Sequence, residues 1–344
     1  MKILFIGPNN GTSKYNYLTI KKIYKNTTLI DIQKLKINKI QNYIFHHFNS
    51  QILNNKISNF YEKEIKEKYD IAFINNVSLL TRNSILKLKQ HTKKIFYYCF
   101  DNPFVQRDKL RWDNFNKIYT QLNLIIFHQK RREIYAKRHK IKNYLLTIPP
   151  YYKKIHLNKV NINKKKNIVF IGTWFPERGK FFYELKKLGL DFDIYGSRWE
   201  RDRKYYKYLK ENINHSLKYE DTAKFISKYK INLGLLSKEN DDDITRRCIE
   251  IPATGSLLVC QRTSTLKKIF KDNKEALFFS SPKECFIKCK EILQKPKLLK
   301  KISIQGNIKI RKILNVEAEN IFKKIFNEKL NSLLSLFLAR FARR

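Results

Sequence analysis

The segment from Thr245 to Gly255 holds the residue types best suited to binding a charged ligand. Arg246 and Arg247 supply adjacent guanidinium groups, which bind phosphate oxygens through paired hydrogen bonds. Glu250 follows one helical turn later, where a carboxylate accepts hydrogen bonds from ribose or sugar hydroxyls. The pattern predicts a site for a nucleotide-sugar diphosphate. Arginine–glutamate pairs that only face solvent are the alternative.

Two further loops could complete such a site. Residues 172–179 join an apolar run to a helical segment, and backbone N–H groups near a helix N-terminus bind phosphate oxygens. The next loop begins with Tyr195 and Gly196 and also holds Trp199, whose ring, like that of Tyr195, offers a surface for stacking a base. Core packing of both rings is the alternative.

Asp101 is the candidate carboxylate of the N-terminal half. It follows an apolar run that ends at Cys99 and precedes Asn102 and Pro103. A carboxylate at a strand end can act as a general base on an acceptor hydroxyl. Helix capping is an equally good interpretation.

Short apolar runs alternate with helical segments along the whole chain, which predicts strands buried on both faces of parallel sheets and an α/β fold. In the first half the predicted strands are 3–6, 71–74, 95–99, 124–127 and 144–148. In the second half they are 168–172, 192–195, 231–236, 257–260 and 276–279. Because ligands bind beyond the carboxyl ends of such strands, the loops named above are the places for a site.

The chain is long enough for two domains. We expect an N-terminal domain at 1–150, a lysine-rich linker at 151–167, a second domain at 168–314 and C-terminal helices at 315–344. The last 15 residues are apolar with a basic end, which predicts a helix that either packs back on the N-terminal domain or lies on an anionic membrane surface.

The 344 residues include 72 Lys and Arg against 30 Asp and Glu, a net charge of +42. Such charge favours anionic partners, including nucleic acid, anionic lipid and phosphorylated substrates. Compositional bias is the alternative, because lysine is scattered along nearly every segment. The densest basic patches are 130–132, 137–140 and 164–166.

The five cysteines include no CxxC pair, and they indicate neither a metal site nor a disulfide framework. The N-terminal apolar run is too short for a signal peptide. We therefore expect a protein of the reducing cytoplasm. We also expect that no metal and no other cofactor is required.

Several segments together resemble the CgeB-like (spore-maturation type) glycosyltransferases of the GT-B fold. The residues that carry the resemblance are Phe170–Trp174, Ile194–Ser197, Leu236–Asn240, Thr245–Arg247, Glu250–Ala253 and Glu275–Phe279. It is strong from about Asn167 to Leu314. In the first half, Asp101–Phe104 resembles the family's Asp-Asp-Pro element, although Asn102 departs from it.

The resemblance implies two Rossmann-like domains facing each other across a cleft, with the nucleotide sugar on the second domain and the acceptor on the first. By similarity, Glu250 holds ribose or donor-sugar hydroxyls. Asp242, eight residues earlier, takes the place of a glutamate found in some relatives. The implied reaction is transfer of a sugar to an acceptor hydroxyl.

In that reaction Arg247, with Arg246 or Lys238 and the backbone of Gly172 and Thr173, would stabilise the departing diphosphate without a divalent ion. The other expected donor-site residues are Trp174, Arg178, Tyr195, Gly196, Asp242, Thr245, Ile251, Pro252 and Ala253. Asp101, Arg247 and Glu250 are the expected catalytic residues.

The acceptor stays open among a glycan, a lipid-linked glycan and a protein, as does the choice between retention and inversion. Two other functions stay open at this point: a basic nucleic-acid-binding protein, and a GT-B-like scaffold without activity. A nucleic-acid-binding protein would show steeply salt-dependent binding. A scaffold would release no nucleoside diphosphate.

Overall fold

The structure, a computed structural model, describes residues 1–156 and 166–327. Its backbone divides into two compact units. Unit 1 contains residues 1–148, 239–241 and the described residues from 322 onward, and unit 2 contains 149–238 and 242–321.

Unit 1 is built around a six-stranded parallel sheet. Its strands are β1 (Ile3–Gly7), β2 (Thr27–Asp31), β3 (Tyr69–Asn75), β4 (Thr92–Cys99), β5 (Leu124–Phe127) and β6 (Tyr144–Leu146). They lie in the order β2-β1-β3-β4-β5-β6, so the order reverses between β1 and β3. Its helices are α1 (Gly11–Ile23), α2 (Lys39–His47), α3 (Asn54–Glu64), α4 (Arg82–His91), α5 (Asp113–Ile118) and α6 (Arg132–Arg138).

Unit 2 has a second six-stranded parallel sheet. Its strands are β7 (Lys166–Ile171), β8 (Asp193–Tyr195), β9 (Ile213–Asn214), β10 (Tyr229–Gly234), β11 (Leu257–Gln261) and β12 (Leu277–Phe279). The order β12-β11-β10-β7-β8-β9 is that of a Rossmann sheet, with its reversal between β7 and β10.

The helices that follow residue 148 surround this second sheet, except that the last one extends into unit 1. They are α7 (Lys153–His156), α8 (Pro176–Lys187), α9 (Tyr206–Leu209), α10 (Tyr219–Lys228), α11 (Arg247–Ala253), α12 (Ser264–Ile269), α13 (Pro282–Leu293), α14 (Pro296–Ile308) and α15 (Ala318–Asn327). All ten predicted strands occur, and the predicted α/β class is confirmed.

Two strands were not predicted, and both lie at sheet edges. In β2 the buried Thr27 and Ile30 flank two less buried residues, so no continuous apolar run marks it. β9 has only two residues.

The start of the expected linker is packed structure. Tyr151 donates its backbone N–H to Val316 and accepts one from Ala318, and it is buried in unit 2 together with Tyr152 and Ile155. Residues 157–165 of that linker lie outside the described residues, as does the predicted apolar helix of the last 15 residues.

In unit 1, α15 supplies aromatic side chains to the face of the first sheet. The Phe322 ring contacts Phe73 and Tyr98, and the Phe326 ring contacts Phe73 and Phe96. Phe322 is fully buried. The core of unit 1 is therefore completed by residues near the end of the described chain.

Candidate functional site

The strand reversal in unit 2 places two loops side by side, one after β7 and one after β10. Arg178, in the first turn of α8, joins them: it donates to the carbonyl of Thr173 at 2.5 Å and to that of Leu235 at 3.3 Å. Its guanidinium also lies over the rings of Phe170 and Phe175. Arg178, predicted as a ligand contact, is thus buried and holds the two loops together.

Local sequence determines how the loop after β7 enters α8. Pro176 occupies the first turn, where the missing N–H costs nothing. Gly179 is required because a Cβ there would lie 1.5 Å from a carboxylate oxygen of Asp202. That carboxylate accepts the indole N–H of Trp174 at 2.9 Å, which fixes the loop.

Gly172 and Gly196 lie in close contact, and both the N–H and the carbonyl of Gly172 are hydrogen-bonded within the protein. A Cβ on Gly196 would lie 1.9 Å from the Gly172 carbonyl oxygen. The same oxygen accepts the Trp199 indole N–H at 3.1 Å, and the Gly172 N–H donates to Tyr195 at 2.9 Å. In this conformation the Gly172 N–H is therefore hydrogen-bonded within the protein, and its contact with a phosphate stays a prediction. Among the described residues no acceptor lies within hydrogen-bond distance of the Thr173 N–H, so this group can still donate to a phosphate.

The aromatic residues of the next loop serve the core. Tyr195 and Trp199 are both buried, and the Tyr195 ring packs against Phe225 with centroids 5.0 Å apart. The prediction that either ring stacks on a base is not supported. Trp174 and Phe175, in the loop after β7, remain half-buried and keep some exposed aromatic surface.

Glu250 is the centre of a buried polar cluster. Its carboxylate is completely buried, forms a short ion pair with Arg247 and accepts the Tyr219 hydroxyl at 2.5 Å. His156 Nε2 and Arg246 Nε lie 3.8 and 3.9 Å from Oε1. Both carboxylate oxygens are therefore engaged by the protein itself.

The surrounding charges decide the ionisation of this carboxyl. Burial alone would raise its pKa, but Arg247, then His156 and Arg246, and the hydroxyl of Tyr219 outweigh that cost and lower the pKa of Glu250 to about 2. Burial lowers the pKa of His156. Glu250 is thus a permanent anion at neutral pH.

Two contacts orient the Arg247 guanidinium and leave its third nitrogen able to donate to a ligand. Its Nε donates to the Ile171 carbonyl at the end of β7, at 3.3 Å, and its Nη1 pairs with Glu250. Within residues 1–156 and 166–327, Nη2 meets no acceptor, and the side chain is partly exposed. The arrangement leaves a guanidinium N–H pair for a ligand at the carboxyl end of β7.

The remaining predicted residues of this segment divide into two groups. Lys238 is exposed, while Asp242, Thr245 and Arg246 are partly exposed, so their side chains reach solvent near the loop after β10. Ile251, Pro252 and Ala253 are buried in α11. Their predicted contact with a ligand is not supported, and they instead anchor the helix that carries Arg247.

Asp101 lies beyond β4 in unit 1. Its Oδ1 accepts from Arg107 at 3.0 Å and its Oδ2 from the Asn76 amide at 2.9 Å. Asn76 has a left-handed backbone and accepts the N–H groups of Phe100 and Asp101, joining the ends of β3 and β4. The carboxylate is partly exposed, and its two oxygens have lone pairs beyond these two hydrogen bonds, so it can still accept a proton.

Sequence reasoning missed the residues that hold Glu250. Tyr219 begins α10 and His156 ends α7, far away along the chain. No local pattern marks either residue, because their role follows from contacts with a helix about 30 and 90 residues later. A buried carboxylate needs such partners, but sequence alone does not say which side chains provide them.

The described residues contain neither a membrane-spanning helix nor a cluster of metal ligands. No helix there could span a lipid bilayer. No group of three or more His, Cys, Asp or Glu side chains is placed to hold a metal ion.

Comparison with protein families supports an assignment for unit 2. Residues 178–317 match the model of the family described as glycosyl transferase-like. This match covers 140 of the 344 residues and contains Arg178, Arg247 and Glu250. A search of curated proteins found no significant match.

Solved structures show the fold of the whole chain. The sucrose-phosphate synthase of Thermosynechococcus elongatus is 12% identical with a TM-score of 0.67, covering 100% of both chains. Anabaena HepE in complex with UDP-glucose is 9% identical with a TM-score of 0.64, covering 94% of this chain and 98% of its own. T4 phage BGT in complex with UDP-glucose is 17% identical with a TM-score of 0.57, covering 95% and 100%. The chain therefore has the GT-B fold.

Proposed function

We propose that this glycosyltransferase moves a sugar from a nucleoside diphosphate sugar to an acceptor hydroxyl, with the donor at the carboxyl edge of β7 and β10. The observation that carries this proposal is the orientation of Arg247 by Ile171 and Glu250, which leaves Nη2 for an anion. Ligands of Rossmann sheets bind at such a strand reversal.

A uridine diphosphate sugar is the donor class we propose to test first. Two of the similar structures, HepE and T4 phage BGT, contain UDP-glucose. A diphosphate also suits an edge where Arg246, Arg247 and Lys238 reach solvent. The nucleotide specificity itself is a proposal.

In this proposal Arg247, with Arg246 and Lys238, stabilises the negative charge that develops on the departing diphosphate. Fixed cations can do this without a divalent metal. Removing one such donor raises the barrier by about 3 to 4 kcal/mol in comparable sites. The Thr173 N–H is a further candidate donor to the same charge.

Glu250 takes a different role from the one that the resemblance implied. Because both of its oxygens are engaged and the carboxylate is fully buried, we propose that it positions Arg247 instead of contacting the sugar. Asp242 is partly exposed, and we propose that it is the carboxylate that a donor-sugar hydroxyl contacts.

Unit 1 is proposed to receive the acceptor, a glycan, a lipid-linked glycan or a protein. Asp101 would act as general base if the reaction inverts the anomeric configuration. The CgeB-like subtype, a cytoplasmic location and contact of the last 15 residues with an anionic membrane belong to the same proposal. All five cysteines are unpaired and buried, which suits a reducing compartment.

Calorimetry with UDP and UDP-glucose tests the donor site. We expect binding by the unchanged chain and at least about tenfold weaker binding by Arg247→Ala, since charge-assisted hydrogen bonds to phosphate are strong. Arg203→Ala is the matched control, because Arg203 is an exposed arginine of unit 2. Equal losses in both variants would mean that general charge, not this site, binds the nucleotide.

Release of UDP in the presence of acceptor pools tests the reaction itself. A chain that binds nucleotide and releases none with any acceptor would be a scaffold. A chain that binds duplex or single-stranded nucleic acid more tightly than any nucleotide sugar, with steep salt dependence, would favour the nucleic-acid function.

A further inference from the structure

A cluster of apolar side chains on α2 is exposed to solvent, although α2 is well anchored. In the part of the chain that the structure describes, Ile40 and Phe48 are the most exposed large hydrophobic residues, at 72% and 70%, and Tyr43 is 55% exposed. Contiguous apolar surface of this kind marks interaction sites in soluble proteins. We call Ile40, Tyr43, His47 and Phe48 the α2 surface.

These side chains form one patch. Ile40, Tyr43 and His47 are spaced three and four residues apart and share a helix face. The Tyr43 ring stacks on His47 with centroids 4.4 Å apart, and it lies 5.8 Å from the Phe48 ring. The exposed rings therefore support one another at the surface.

The helix that presents this patch is fixed at its start and along its opposite face. The side chain of Asn38 accepts the Gln41 N–H at 2.7 Å, and the side chain of Gln41 accepts the Asn38 N–H at 3.4 Å, forming a capping box. On the inner face, Phe45 is fully buried in the core of unit 1. Phe48, the residue after α2, donates its N–H to the Ile44 carbonyl at 2.9 Å. The exposure of Ile40 and Phe48 is thus not the fraying of a loose helix end.

The surroundings of the α2 surface are cationic. Residues 32–61 contain four lysines and no aspartate or glutamate, and of these lysines Lys34 pairs with Glu64, just beyond this stretch. Lys36 and Lys39 are exposed and form no ion pair within the described residues. Lys109, from the segment 106–112, contacts His47 Nδ1 at 2.8 Å. A partner of this surface must therefore combine negative charge with an apolar interior.

We propose that the α2 surface binds the surface of an anionic lipid bilayer. Ile40 and Phe48 would enter the boundary between headgroups and acyl chains, Tyr43 would lie at the headgroup level, and Lys36 and Lys39 would face lipid phosphates. The phosphates of a nucleic acid would pair with the lysines, but a nucleic acid offers Ile40 and Phe48 no apolar environment to enter. The bilayer satisfies both features.

The α2 surface lies in the unit that is proposed to receive the acceptor. α2 packs against residues 106–112, which supply Arg107 to Asp101, so the surface lies in the same unit as the proposed base. As a consequence that rests on the proposed function, the acceptor is borne by a membrane. Membrane binding itself does not depend on the glycosyltransferase activity.

Co-sedimentation of the full chain with vesicles tests the proposal. We expect binding to vesicles of equal phosphatidylcholine and phosphatidylglycerol and little binding to phosphatidylcholine alone. Ile40→Ser combined with Phe48→Ser should weaken binding about tenfold or more, since two apolar anchors are lost. Lys36→Glu combined with Lys39→Glu should weaken it and reduce its salt dependence.

Leu86→Ser combined with Ile134→Ser is the matched control. These side chains are 46% and 57% exposed and lie on α4 and α6. The control should bind the anionic vesicles within about twofold of the unchanged chain, since the surface lysines remain. Thermal unfolding of each variant verifies that the fold is retained.

Three results would overturn the proposal. The first is that the unchanged chain does not co-sediment with anionic vesicles. The second is that the α2 variant and the control variant bind these vesicles equally well. The third is that Leu334→Ser combined with Phe337→Ser abolishes binding while the α2 variant retains it, which would assign the contact to the C-terminal residues. Nucleotide binding is measured separately, so a chain that binds vesicles but no nucleotide would refute the proposed function and leave this inference standing.

Discussion

Replacing Glu250 with glutamine is the most direct test of the buried cluster. The ordinary pKa of a glutamate side chain is 4.5, and in the folded chain Arg247, His156 and Arg246 lower that of Glu250 to about 2. The difference corresponds to at most about 3 kcal/mol of stability at neutral pH, because His156, whose own pKa is lowered by burial, contributes only where it is protonated. Glu250→Gln should therefore lower the free energy of unfolding of the chain by up to that amount.

The pH dependence of this loss follows from the direction of the shift. A lowered pKa means that the folded state binds the proton less tightly than the unfolded state. The stabilisation by Glu250 is complete above pH 4.5 and is lost as the pH falls towards 2. Between these values the difference between the unchanged chain and Glu250→Gln should shrink by about 1.4 kcal/mol per pH unit.

Chemical unfolding at a series of pH values measures this difference. Glu211→Gln is the control, because its side chain is 79% exposed and the substitution changes the net charge of the chain equally. We expect the control to lie within about 0.5 kcal/mol of the unchanged chain at every pH. A loss for Glu250→Gln that is small at pH 7, or that stays constant down to pH 3, would refute the account of the cluster.

Three further substitutions test other parts of the structure. Gly196→Ala should lower the melting temperature by several degrees, because its Cβ would lie 1.9 Å from the Gly172 carbonyl oxygen, and unchanged thermal unfolding would contradict that approach. Arg178→Ala should cost about 1 to 3 kcal/mol in chemical unfolding, because the carbonyls at the ends of two loops lose their donor. A neutral result would show that solvent replaces the guanidinium. Asp101→Asn should leave UDP-glucose binding unchanged in calorimetry while slowing turnover about a hundredfold or more, and retained turnover would exclude Asp101 as the base.

Most of the fold was predictable because buried parallel strands are short apolar runs. Such runs identified ten strands, and their alternation with helices identified the α/β class. β2 and β9 were not predicted, because neither contains such an apolar run. An edge strand that is partly exposed, or only two residues long, lacks the run that marks a central strand.

The site was less predictable, because residue type does not fix what a polar group contacts. Arg178 and Arg247 look equivalent in the sequence. In the structure, the Arg178 guanidinium donates to two loop carbonyls, whereas Nη2 of Arg247 meets no acceptor among the described residues and can donate to a ligand. The partners of Glu250 were invisible for a related reason: Tyr219 and His156 reach it through tertiary contacts, which leave no local pattern.

Part of the net charge also proved to be structural. Arg132 belongs to one of the densest basic patches, yet its side chain is buried. It donates to the backbone carbonyls of Asn240 and Asp241 at 2.8 and 2.9 Å. A count of basic residues therefore overstates the charge that unit 1 offers to an anionic partner.

The division of the chain has a consequence for its biosynthesis. The rings of Phe322 and Phe326 pack on the sheet of unit 1, whose last strand ends at Leu146. About 180 residues separate that strand from Phe326, which a ribosome needs roughly 10 to 35 seconds to translate. Throughout that interval the nascent first unit lacks the two aromatic rings that pack on Phe73 and Tyr98 in the complete fold.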